Sequence, residues 1–127
     1  MSFDWAEYLS LAEELCAFPV TGPPVGVEAQ QRAGVSRAYY AAFIMARNHL
    51  RDIDGIRAPR SANAHRFVAD QYAYHSDPIR SLIGRELMRL RSARNRCDYD
   101  DVIPNLPGLV GLAFASASQI VADLGRL

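Results

Sequence analysis

Arg94, Asp98 and Tyr99 are spaced so that, on a helix, the guanidinium and the carboxylate stand one turn apart with a phenol beside the carboxylate. Upstream, Ile83, Leu87 and Leu90 recur at four and three residues, the mark of a buried helical face, and the next position on that stripe is Arg94. Cys97 then resumes the apolar pattern, so the arginine interrupts a stripe that continues past it. A guanidinium in such a place must be paired or wetted, because an unpaired buried charge is strongly unfavourable. Arginine before acid is the weaker order of an i,i+4 pair, and Asp98, Asp100 and Asp101 sit where the helix dipole disfavours negative charge by about 0.3–1 kcal/mol. Local stability does not account for them. Two readings stand: a satisfied polar knot between helices, or a surface for a polyanion or a reaction.

The rest of the chain narrows the chemistry. Its 127 residues carry 14 basic and 14 acidic groups, so no global positive field exists to drive non-specific nucleic-acid binding. A local patch does: Arg80, Arg85, Arg89, Arg91, Arg94 and Arg96 crowd into one predicted helix, and every basic residue is arginine, a weak sign of planar phosphate recognition. No His/Cys/Asp/Glu spacing matches a metal site, and no cofactor motif is present, since the glycines around Gly22 and Gly26 lack a preceding strand. Cys16 and Cys97 are expected as reduced packing residues of a cytoplasmic protein. The apolar stretch 106–122 is broken by glycine, serine and glutamine, which argues against a membrane span.

The elements that must position these residues are helices. A first helix capped by Ser2 or Asp4, with Glu7 in a capping box, runs to about Ala17 on an apolar face of Trp5, Tyr8, Leu9, Ala12, Leu15 and Cys16. The stretch Phe18–Gly26 breaks it as a loop, ordered by its own Phe and Val side chains. A long second helix spans about Val27–Asp52, with Val35, Tyr39, Ala42, Ala46 and Ile53 as its stripe and small residues that admit close neighbours. After the Asp54-Gly55 and Ala58-Pro59 loop, a short helix covers about Ala62–Tyr72. Asp77 and Pro78 start the arginine helix at its N-cap and first turn, and it runs to about Tyr99. A last helix from about Pro107 to Leu124 packs through Leu109, Leu112, Ala113, Ser116 and Ile120. The β-branched residues never alternate as a strand requires. The expected fold is an all-α, up-and-down bundle of four main helices plus one short one, in a single domain over residues 1–127.

Three blocks then become recognisable: Phe3-Asp4-Trp5-Ala6-Glu7-Tyr8-Leu9, Ser36-Arg37-Ala38-Tyr39-Tyr40-Ala41-Ala42-Phe43, and Leu90 to Asp100. Together they resemble the HEPN superfamily, in its small uncharacterised branch, over nearly the entire length. The resemblance implies a prokaryotic helical bundle that homodimerises and stands beside a minimal nucleotidyltransferase in a toxin–antitoxin or defence pair. It also implies metal-independent ribonuclease chemistry on an Arg-x4-6-His motif. Aligned on Arg94, that histidine position falls on Tyr99. Tyrosine, with a reference pKa of about 10, is poorly matched to proton exchange near neutral pH, and aspartate at about 4 is too acidic unless perturbed. The resemblance therefore leaves Arg94 to hold phosphate and Asp98 or Tyr99 to position a ribose hydroxyl, with Arg91, Arg96 and Arg37 as RNA contacts.

Substitutes for the missing histidine are few. His49 near the end of the second helix suits a structural imidazole, and His75 in the turn suits an exposed capping neighbour. His65, opening the short helix, is placed to fold towards the arginine helix. Ser36 lacks an elbow or a base, while Arg37, Tyr39 and Tyr40 suit helix packing and hydrogen bonding, each tyrosine needing one polar partner. The competing expectation is a non-catalytic interaction module in which Arg94, Asp98 and Tyr99 form a buried network.

Overall fold

A computed structural model of the chain describes residues 2–17 and 24–127. The described residues form five helices and no strand: α1 (Ala6–Ala17), α2 (Pro24–Asp52), α3 (Ala64–Ala73), α4 (Pro78–Tyr99) and α5 (Leu106–Leu124). This is the all-α bundle of four main helices and one short one. The long α2 is its axis, packed by α1, α4 and α5, while α3 lies chiefly against α4.

Local chemistry sets these boundaries. Asp4 Oδ1 accepts from the Ala6 amide at 3.1 Å and starts α1, while Asp77 does the same for α4 through the Ile79 amide at 3.2 Å, with Pro78 in the first turn. Asn105 takes a left-handed backbone (φ 53°) and caps α5 by accepting from the Gly108 amide. His75 is exposed, and its Nδ1 accepts from the Asp77 amide at 3.0 Å, a capping neighbour as expected.

Four expectations need correction. The second helix begins at Pro24 and not at Val27, because proline opens a helix as readily as it ends one; the loop residues 18–23, with their Phe and Val, lie outside the described residues. The short helix begins two residues later than expected, at Ala64. Ile53 follows the last residue of α2 and is 69% exposed, since helical periodicity no longer governs it there. Leu112 is 70% exposed because the inward stripe of α5 runs through Leu106, Ala113, Ala117, Ile120 and Leu124.

Glycine matters most at Gly84. A side chain there would collide with the backbone of Ala69 and Ala73, so its absence lets α3 lie directly on α4. The helix α5 is long and apolar enough to pass a length-and-composition test for a span, yet its mean hydropathy is only 1.3 and it buries Asp123 in the bundle; one such helix does not indicate a membrane protein.

Candidate functional site

Arg94 is 6% exposed and lies where α4 crosses α2. Its guanidinium sits over the rings of Tyr39 and Tyr40, 5.1 and 5.3 Å from their centroids, contacts worth about 0.5–2 kcal/mol each. Its ion pair with Asp98 is long, at 3.5 Å, and Asp98 also accepts from the Ser36 hydroxyl at 3.4 Å. The Ser36-Arg37-Ala38-Tyr39-Tyr40 block and the Arg94–Asp98 block therefore meet: one supplies the aromatic walls, the other the charge. The Nε of Arg94 is buried without a partner.

The open carbonyls at the carboxyl end of α4, beside the aspartates, are met from a helix far away in sequence. Arg32 of α2 donates to the backbone carbonyls of Cys97 (3.0 Å), Asp100 (2.6 Å) and Asp101 (3.3 Å), a cation on the carbonyls that α4 leaves open at its carboxyl end. Arg96 adds a surface pair with Asp100 at 3.8 Å.

His65, expected to fold towards the arginine helix, makes its ring contacts with α2 and only shares the lining of a cavity with Leu87, Met88 and Arg91 of α4. Gly84 brings α3 onto α4, and the imidazole stacks on Phe43 at 4.5 Å while its Nδ1 shares a 2.5 Å hydrogen bond with the Tyr39 phenol. Burial, then the charges of Arg91 and Arg94, hold the imidazole below its ordinary pKa, so it is neutral at pH 7. Burial pushes the Tyr39 phenol up to about 12, with Arg91 and Arg94 pulling against it, so it stays protonated. The phenol fixes Nδ1 as the engaged imidazole nitrogen and leaves Nε2 without a hydrogen-bond partner among the described residues.

That cavity has a volume of about 290 Å³ and is lined by Tyr39, Phe43, His65, Leu87, Met88 and Arg91 among others. A second, more open groove of about 540 Å³ shares Met88 and Arg91 with it and continues past Asn95, Arg96 and Tyr99. Arg91 thus borders both, and its Nε is buried with no partner. The acids on these walls are Asp70, paired with Arg66 at 3.6 Å, and Asp100.

The sequence-derived site residues divide accordingly. Arg94 and Asp98 come together, but behind the tyrosines and not on the cavity wall. Tyr99 does not join a buried network with Arg94 and Asp98 as expected: as the last residue of α4 it is 75% exposed and faces the open groove with Arg91 and Arg96. Arg37 lies elsewhere, its guanidinium 5.6 Å from the Tyr8 ring of α1. His49 is half-buried with Nε2 unpartnered, which departs from the satisfied imidazole expected of it. Cys16 and Cys97 are free thiols. Among the described residues, no group of His, Cys, Asp or Glu is arranged to hold a metal ion.

No known family model, curated protein or solved structure matches the chain.

Proposed function

We propose that the chain binds RNA along the face that α4 forms with α2 and α3 and cleaves it slowly without a metal, with His65 and Arg91 at the reacting phosphate. The observation that carries this reading is the placement of a neutral imidazole and an incompletely partnered arginine on the wall of one cavity. When Nδ1–H donates to the Tyr39 oxygen, Nε2 keeps its lone pair and takes the proton of a ribose 2′-hydroxyl. The 2′-oxygen attacks the adjacent phosphorus and the bond to the 5′-oxygen breaks. A 2′,3′-cyclic phosphate and a 5′-hydroxyl result, the leaving oxygen taking its proton from water. Arg91 offsets the charge that grows on the phosphate oxygens. Tyr99, exposed beside Arg91 and Arg96, offers a ring on which a base stacks, worth about 1–3 kcal/mol.

Arg94 enters as a positioning residue, holding the ring of Tyr39 that holds His65. The HEPN-like blocks support the same reading, and with it a cytoplasmic homodimer paired with a minimal nucleotidyltransferase in a toxin–antitoxin or defence system. The burial of Arg94 between Tyr39 and Tyr40 favours a second reading, a non-catalytic interaction module whose polar network fixes the bundle.

Incubating the protein with total RNA in excess chelator separates the two. The enzyme reading expects cyclic-phosphate ends from the wild type and none from His65→Gln. Neither cleavage nor retention of RNA at low salt leaves the module.

A further inference from the structure

A third concavity, of about 370 Å³, lies between the second half of α2 and the loop before α3. Its walls carry Arg47 and Arg51 from α2 and Arg57 and Arg60 from the loop, with Phe43 and Pro59 as apolar surface. The turn after α2 makes this convergence. Gly55 takes φ +69°, the Ile56 amide returns to the Leu50 carbonyl at 2.9 Å, and half-buried Ile56 and Ala58 pin the loop back on the bundle. Arg57 and Arg60 are thereby folded over the arginines of the helix they follow.

Such an arrangement is electrostatically unfavourable when nothing negative occupies it. Arg47 and Arg51 are like charges at i,i+4, which destabilise a helix. Arg51 has a carboxylate partner in Asp52 at 2.8 Å. Among the described residues, Arg47 and Arg60 have none, Arg57 makes no direct ion pair and reaches the Asp52 carboxylate only at longer range, and Arg47 donates only to the neutral Asn48 side chain. The first turn of α3 opens on the same space at Ala64, and no side chain caps it. Planar guanidiniums around a concavity with an apolar wall match a phosphate group that carries an organic substituent.

The pocket also adjoins the candidate site. Phe43 lines both cavities and stacks on His65, which follows Ala64 in the chain. We propose that this arginine pocket is a phosphate-binding subsite, filled by a neighbouring phosphate of the RNA strand whose reacting phosphate lies at His65 and Arg91. It rests on the RNA reading above for the identity of the strand, but not for the recognition of phosphate.

The test uses Arg57→Gln/Arg60→Gln, two exposed loop positions whose change leaves the core intact, with two probes. Binding of a short single-stranded RNA, followed by fluorescence anisotropy across a salt series, should weaken about tenfold at low salt. The slope of log K against log salt should become shallower by about 0.7 for each phosphate no longer neutralised. Inorganic pyrophosphate should raise the melting temperature of the wild type and not of the variant. RNA binding with unchanged affinity and slope in the double variant, while Arg91→Gln weakens it, overturns the proposal. If the wild type retains no RNA at all, the function proposed above fails. The pocket is then decided by pyrophosphate, whose stabilisation of the wild type alone supports it and whose indifference to both proteins overturns it.

Discussion

Arg91 and Arg94 sit one turn apart on α4, yet Arg94 is buried beneath Tyr39 and Tyr40 with Asp98 as its carboxylate, whereas Arg91 stays half-buried and borders two cavities. The difference follows from what α2 presents to each. Two aromatic faces and a serine-bound carboxylate make a site that a desolvated guanidinium can tolerate. The other guanidinium borders the opening beside His65 and has no carboxylate partner among the described residues. The same residue type thus builds the bundle at one position and borders open cavities one turn away.

Substitutions should break this pairing unequally. Arg94→Ala removes the charge that sits over two rings and leaves Asp98 with Ser36 alone. Chemical denaturation should show a loss of about 3 kcal/mol, at the low end for a broken buried pair because Asp98 is partly exposed. An unchanged melting temperature would mean that Arg94 does not build the bundle. Gly84→Ala should cost about 1–3 kcal/mol by overpacking, and it should also move α3 from α4 and so weaken RNA retention more than its stability loss explains.

Acid should sharpen the contrast. The folded-state pKa of His65 is lowered by burial and by Arg91 and Arg94, so on acidification the unfolded chain takes up its proton first. This contribution to stability is fully present above the ordinary imidazole value of about 6.5 and is lost as pH falls through the folded value. His49, lowered chiefly by burial, acts in the same direction. Melting temperatures followed from about pH 7 down to about pH 5, the span in which histidine changes charge, should decline for the wild type and decline less for His65→Gln. The smallest stability effect belongs to Arg91→Gln, within about 0.5 kcal/mol by thermal denaturation, although its RNA binding should fall about tenfold.

Most of the fold is legible because Asp77-Pro78 marks the start of α4 and because the apolar spacing of Ile83, Leu87 and Leu90 is helical. Pro24 misleads because a proline at a helix start and one in a loop read alike. The interruption at Arg94 is legible on its own helix. The direction of His65 is only a suggestion, since its contact with Tyr39 spans the turn after α2. Arg32 and the arginine pocket are invisible for the same reason. The carbonyls that Arg32 meets lie at the far end of α4, and Arg47 meets Arg57 and Arg60 only because the chain reverses at Gly55. Periodicity reports which face is buried, not which distant group arrives there.

The most direct measurement is an NMR titration of the His65 imidazole with and without single-stranded RNA. The account predicts a midpoint below about 6.5 in the free protein, displaced upwards when a phosphate joins Arg91 at the cavity. An imidazole that titrates at the ordinary value and does not respond to RNA would contradict it.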